Sequence, residues 1–232
     1  MIIGITGAAQ CGKDTLARAI RIGRCTYPRY RNSDGEFMEP ASGGDAVAVT
    51  AFATALRDVV EAAFGCRYET AEEKARVDGW WHERIYGLGG GPDRPGPFLG
   101  DLPVNGRRIL QFVGTELFRN GVHPDFWLFA LEQRLSTSRA VHHVISDVRF
   151  DNEAKWIQDQ GGFVVHLTRG VPVMRAALTA TEQAHVSEAG VSHRYIDEWH
   201  TCCSKAEVEE LGLQLAERLL DARSAGVSEE GE

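Results

Sequence analysis

The sequence predicts an α/β protein of three layers, a parallel sheet of about five strands between two layers of helices, on three observations. Short apolar, β-branched runs recur along the chain: Met1–Thr6, Ala46–Thr50, Val141–Ser146, Phe163–Leu167 and Trp199–Cys203. Stretches with helical spacing separate them. The first run passes directly through a glycine-rich turn into a helix. On such sheets ligands sit beyond the C-terminal ends of the strands.

Each element has its own signal. Lys13–Ile22 reads as the first helix. Phe52–Phe64 carries apolar residues at 52, 56, 59, 60 and 63, a helical stripe that Gly65 closes. Glu69–Asp78 reads as a polar helix. Arg107–Phe118 is a helix with Ile109, Phe112, Val113 and Leu117 inward, and Pro124–Leu135 another, with Pro124 in the first turn. Asn152–Gln160 is a helix ended by Gly161-Gly162. Val208, Leu211, Leu215 and Leu219 mark the last one. Residues 1–222 are expected to form a single domain. Two stretches rich in Gly and Pro, 24–45 and 87–106, read as insertions. Residues 169–190 read as a lid, and 223–232 as a flexible acidic tail.

Composition narrows the function. Of 232 residues, 43% are hydrophobic and 25% charged, which excludes a wholly disordered chain. The formal charge of −8 argues against coating nucleic acid, which rests on phosphate neutralisation. The longest nearly apolar run, Ala46–Leu56, is too short for a bilayer, and no secretory pattern opens the chain. A cytoplasmic protein is expected. The 5 cysteines show no framework spacing. A zinc site at His200, Cys202 and Cys203 is disfavoured: no C-x-x-C partner exists, and adjacent strand cysteines point to opposite faces.

The densest chemical signal is Gly7-Ala8-Ala9-Gln10-Cys11-Gly12-Lys13-Asp14-Thr15. It follows a strand and opens a helix, the setting a phosphate-binding loop needs. Glycines let the backbone curl so that several N–H groups face phosphate oxygens. The helix behind adds unsatisfied N–H groups and the positive end of its dipole. Lys13 supplies a point charge to the β- and γ-phosphates. Gly7, Ala8, Gln10, Cys11, Gly12, Lys13, Asp14 and Thr15 are therefore the candidate nucleotide contacts. The common pattern puts Ser or Thr after the lysine as the Mg²⁺ ligand. Here Asp14 stands there, and a carboxylate serves Mg²⁺ directly or through water. Thr15 is then placed to reach the α-phosphate. The plain alternative is a glycine-rich turn before a capped helix. No Asn-Lys-x-Asp run is present, which counts against a GTPase, and a motor is normally longer. Small-molecule kinases remain.

A kinase also needs an acceptor pocket with cationic clamps. Asp147 lies at a strand tip, the place for a site carboxylate, or else it caps the next helix or forms a structural ion pair. Arg149 and Glu153 share one helix face or pair. The helix through Arg108 holds an interior Gly114-Thr115, where glycine costs about 1 kcal/mol against Ala. A ligand approaching closely explains that cost, and so does a tight helix–helix contact. Trp127 offers a ring for base stacking, or packs in the core. Arg57 is a further clamp candidate, or a solvated charge.

Four stretches together resemble a family. They are Gly12-Lys13-Asp14-Thr15, Leu110-Gln111-Phe112-Val113-Gly114-Thr115-Glu116, His123-Pro124-Asp125-Phe126-Trp127, and Ser146-Asp147-Val148-Arg149-Phe150 with Asn152-Glu153. Their order and spacing are similar to those of the bacteriophage deoxynucleoside monophosphate kinases, from Met1 to about Arg169 and more weakly beyond. The resemblance implies a P-loop NTPase fold related to adenylate kinase, with a lid and an NMP-binding helical region. It implies transfer from ATP to a dNMP, giving ADP and dNDP, with Mg²⁺, in the host cytoplasm. It implies that Arg108, Gly114, Trp127, Asp147, Arg149 and Glu153 line the monophosphate site, with Thr115 beside them. Arg169 or Arg175, in a lid over Arg169–Glu188, would face the ATP phosphates, and His185-Val186-Ser187-Glu188 resembles a motif after that lid. The segments 24–45 and 87–106 look like additions, and Trp199–Lys205 lacks an Asn-rich turn before the last helix.

The resulting reading is in-line transfer in which Lys13, Asp147 and Arg149 are the catalytic residues and Arg108 joins Arg149 as a clamp. The partner is a small-molecule nucleoside monophosphate, the assembly a monomer or homodimer, with no membrane or nucleic acid. Two alternatives keep the loop. One is a kinase acting on a hydroxyl of a modified base in DNA. The other is a regulator that binds ATP without turnover.

Overall fold

The computed structural model describes residues 1–23, 47–65, 73, 106–170 and 189–226. They divide into two compact units, residues 1–51 with 132–232, and residues 52–131.

The first unit is built on five parallel strands, β1 (Ile2–Thr6), β2 (Val47–Thr50), β3 (His142–Ile145), β4 (Phe163–Arg169) and β5 (Glu198–Cys202). Their order across the sheet is β2-β3-β1-β4-β5. Every residue of β1 is buried, as the continuous Ile2-Ile3-Gly4-Ile5-Thr6 run requires of a central parallel strand covered on both faces. One face carries α1 (Lys13–Gly23) and, among the described residues, the last helix (Lys205–Gly226). Ile3, Ile5, Val165 and Leu167 meet Leu16, Ile20, Leu211 and Leu215 there. The alternate strand positions face the helix Asp151–Asp159. Gly4 makes that approach possible: a Cβ there would lie 2.6 Å from Ile157 Cδ1 and 3.0 Å from Val148 Cγ2. The sheet is thus covered on both faces, as the sequence predicts.

The second unit contains α2 (Phe52–Phe64), α3 (Gly106–Gln111), a π-helix (Phe112–Asn120) and most of α4 (Phe126–Ser136). In chain order the helix Asp151–Asp159 is then α5 and Lys205–Gly226 is α6. A short 3₁₀ turn, His193–Tyr195, precedes β5.

Helix α2 has the predicted bounds, with Gly65 at φ +66° behind it. Two helices differ from expectation. The one expected over 107–118 is α-helical only to Gln111 and then winds more widely. The Trp127 indole N–H donates to the Gly114 carbonyl at 2.7 Å, an extra donor inserted into the helical ladder next to a glycine. The helix expected from Pro124 begins at Phe126, because the Pro124 carbonyl accepts from Arg119 at 2.8 Å. The polar helix expected over 69–78 (apart from Glu73), the segments 24–45 and 87–105, and residues 227–232 of the tail expected over 223–232 lie outside the described residues, whereas the last helix runs on through 223–226. So do residues 171–188 of the expected lid, with Arg175 and the 185–188 motif.

Candidate active site

The loop between β1 and α1 has the backbone that its glycines predict. Gly7 and Gly12 have φ of +133° and +108°, and Gln10, a non-glycine, sits at +62°. Holding Gln10 left-handed costs about 1 kcal/mol, a strain that functional loops retain. A side chain at Gly7 would collide with the Leu167 carbonyl oxygen and stand 3.0 Å from Cys11 Sγ. Cys11 is itself buried, so its thiol fills the floor of the loop. Leu16 N–H donates to the Gly12 carbonyl at 2.9 Å, starting α1 at the loop. Ala8 and Asp14 are exposed, and Thr15 half-buried behind them.

Lys13 reaches back across this loop. Its ammonium donates to the carbonyls of Gly7 at 2.8 Å and Ala8 at 2.7 Å, with Cys11 Sγ 3.9 Å away. Burial pushes its pKa below the usual lysine range. The Cys11 thiol acts against that, the Arg149 guanidinium adds to it, and the Asp14 and Asp147 carboxylates oppose it. Lys13, Asp14, Asp147 and Arg149 therefore form one electrostatic group at the C-terminal ends of β1 and β3. Arg169, at the end of β4, donates to the Gln10 carbonyl at 3.4 Å and so stands at the loop's rim.

The turn after β3 is held by backbone bonds. Val148 N–H donates to the Ile5 carbonyl at 3.1 Å, tying the turn to β1. Arg149 N–H and Phe150 N–H both donate to Glu153 Oε2, at 2.9 and 3.2 Å. Phe150 is the cap of α5, which removes that alternative for Asp147. Glu153 was expected to line the acceptor site or pair with Arg149; its carboxylate takes the Arg149 backbone, and its side chain is 2% exposed.

The second unit gathers the other candidates. A Cβ on Gly114 would stand 2.9 Å from Leu56 Cδ2, so a close helix–helix contact accounts for the interior glycine. Thr115 is buried beside it. Trp127 is 4% exposed and packs edge-on against Phe118 and Phe126, at 5.3 and 5.0 Å. Of its two readings, core holds, and a face free for stacking does not. Arg57 lies on α2 and Arg108 on α3; the Arg108 side chain is outside the described residues.

Sequence reasoning passed over His166, on β4 two residues beyond Val164. Burial lowers its pKa, and the charges of His193 and Lys13 add to that. A histidine within Phe163-Val164-Val165-His166-Leu167 was the available signal. Cys202, the last residue of β5, is buried, and Cys203, just beyond the strand, is exposed. Among the described residues no helix is long and apolar enough to cross a membrane.

A family model described as deoxynucleotide monophosphate kinase matches residues 103–210. An Escherichia phage T5 protein named deoxynucleoside-5'-monophosphate kinase is 28% identical over 232 aligned residues, 84% of this chain and 87% of that protein. An Acanthamoeba polyphaga mimivirus protein, provisionally named a deoxynucleotide monophosphate kinase, is 35% identical over 99 residues, 38% of this chain and 50% of that protein. The matched segment 103–210 begins well after Lys13, so the phosphate loop stands as an observation independent of it. The matched segment and both relatives make the chain similar to deoxynucleotide monophosphate kinases, and the loop and sheet order agree with that likeness.

Proposed function

We propose that this protein moves the γ-phosphoryl group of ATP onto the phosphate of a deoxynucleoside monophosphate, giving ADP and the diphosphate. One observation carries the reading: the loop lysine lies in the field of Arg149 and Asp147 from the turn after β3. A donor-phosphate cradle and a guanidinium suited to a second phosphate thus bear on the same ammonium group. The acceptor oxygen is largely ionised at neutral pH, with a second pKa of about 6, so no general base is needed. Asp147 orients; it does not have to take a proton.

The donor set suits Mg²⁺, which binds through one or two carboxylates, phosphate oxygens and waters. Asp14 and Asp147 both act electrostatically on Lys13 and are the carboxylates that would hold it. When bound, the ion neutralises phosphate charge during transfer. The clamp candidate Arg57, and Arg108, Gly114 and Thr115 of the acceptor site that the resemblance implies, belong to residues 52–131. Alanine substitution there is read by the monophosphate KM.

The test is ADP release from Mg-ATP against each dNMP and NMP, including 5-modified pyrimidines. Turnover on at least one dNMP is expected. Lys13→Ala is expected to lower kcat by about 10²- to 10³-fold, the range for losing one charge-stabilising donor. ATP binding without turnover on any monophosphate overturns the reading, as does an unimpaired Lys13→Ala.

A further inference from the structure

The turn that brings Arg149 and Asp147 to Lys13 has no regular structure of its own, yet its three successive N–H groups all have acceptors. Val148 N–H goes to the Ile5 carbonyl, beside the phosphate loop. Arg149 N–H and Phe150 N–H go to a single carboxylate oxygen, Glu153 Oε2. Bonds to a charged acceptor are roughly twice as strong as neutral ones, and stronger still away from water. Glu153 also sits in the first turn of α5, where the helix dipole favours a carboxylate. The helix that carries it is fixed against the sheet by Ala154 and Ile157, both fully buried.

We propose that Glu153 is a positioning residue for phosphoryl transfer. Its buried carboxylate sets the backbone of Arg149 and Phe150, and thereby aims the Arg149 guanidinium and the Asp147 carboxylate at the loop lysine. It acts through Arg149 and not by touching the nucleotide. The inference rests on the kinase reading above, and it replaces the acceptor contact that resemblance assigns to this residue. A cap required only for folding would lower stability and leave the kinetic balance between the two substrates alone. A residue that aims Arg149 acts on the acceptor side.

The experiment uses the full chain and measures KM for the best dNMP and for ATP, with thermal melting alongside. Glu153→Ala is expected to raise the dNMP KM by about 10- to 100-fold, the cost of misplacing a group by about 1 Å, with the ATP KM nearly constant. Glu153→Gln keeps a carbonyl oxygen for the same two N–H donors. It is expected to recover the dNMP KM to within about threefold of the unaltered protein, although neutral bonds are weaker. Adding Glu153→Ala to Arg149→Ala is expected to cost little more than Arg149→Ala alone, because the first acts through the second. If Glu153→Gln melts normally yet loses the dNMP as badly as Glu153→Ala, the charge itself meets the nucleotide and the inference is wrong. Additive losses in the double variant overturn it equally. Should Glu153→Ala not fold, the glutamine variant decides alone. An inactive unaltered protein, by contrast, refutes the kinase reading and this inference with it.

Discussion

Alanine at Gly7 and alanine at Gly12 make a paired test of how the phosphate loop is built. Both glycines have φ in the region that L side chains avoid, +133° and +108°, so each substitution carries a backbone cost of about 1–3 kcal/mol. The surroundings then separate them. At Gly12 the nearest atoms to an added Cβ are Val208 Cγ2 at 3.5 Å and Leu167 Cδ2 at 3.6 Å, ordinary contacts. At Gly7 the Cβ runs into the Leu167 carbonyl, backbone of a central strand that cannot swing aside, with Cys11 Sγ 3.0 Å away. Overpacking of this kind adds about 1–3 kcal/mol. Gly7→Ala should therefore melt below Gly12→Ala by roughly 2–12 °C, at 2–4 °C per kcal/mol for a chain of this size. Urea unfolding of both variants, side by side, checks the same gap. Equal losses, or a worse Gly12→Ala, would refute the claim that Leu167 walls the loop. Both variants should also bind ATP more weakly, since either one moves N–H groups that face the phosphates.

Arg149→Ala should raise the dNMP KM by roughly 10- to 100-fold, the worth of a charged hydrogen bond of about 1.5–3 kcal/mol, and the ATP KM far less. A parallel rise in both would assign the guanidinium to the donor. Asp151 gives a pH prediction. Burial works against its carboxylate, but the Ser192 hydroxyl and N–H, at 2.6 and 2.7 Å, and the Arg194 guanidinium outweigh it and hold its pKa below the usual value. A lowered folded pKa contributes stability above the unfolded value near 4, lost as pH falls through the folded one. The stability gap between the unaltered protein and Asp151→Ala should be constant from about pH 7 to 5 and shrink below about 4. A gap that persists at pH 2 would place the contribution in packing.

The parts of this fold that were legible are those in which one residue type has one structural use. Ile2-Ile3 and Val164-Val165 can only be buried strand, and Gly7 and Gly12 in front of Lys13 can only be a curled turn. The π-helix was illegible because its trigger is not local: the indole that reaches the Gly114 carbonyl is 13 residues away. Gly114 announced a close approach but not its partner, which is Leu56. Glu153 looked like a site acid because burial cannot be read from spacing. A carboxylate turned onto its own helix start and one turned toward a ligand have the same sequence signature. Trp127 was equally open: a ring that stacks on a base and one that packs edge-on against Phe118 and Phe126 have the same sequence signature.

The central position of β1 has a consequence for the order of synthesis. Ile2 pairs with His143, and Ile3 with Phe163, so the first strand waits for partners made about 140 and 160 residues later. At about 5–20 residues per second a ribosome takes roughly 7–30 s to supply the nearer one. During that interval an isoleucine-rich edge is unpaired, while the described helices of residues 52–131, which meet each other within that segment, have already been made. Their packing can therefore form before the nucleotide loop exists as a loop. A nascent chain halted before β4 should be open to proteolysis at its N-terminal strand and protected within residues 106–131.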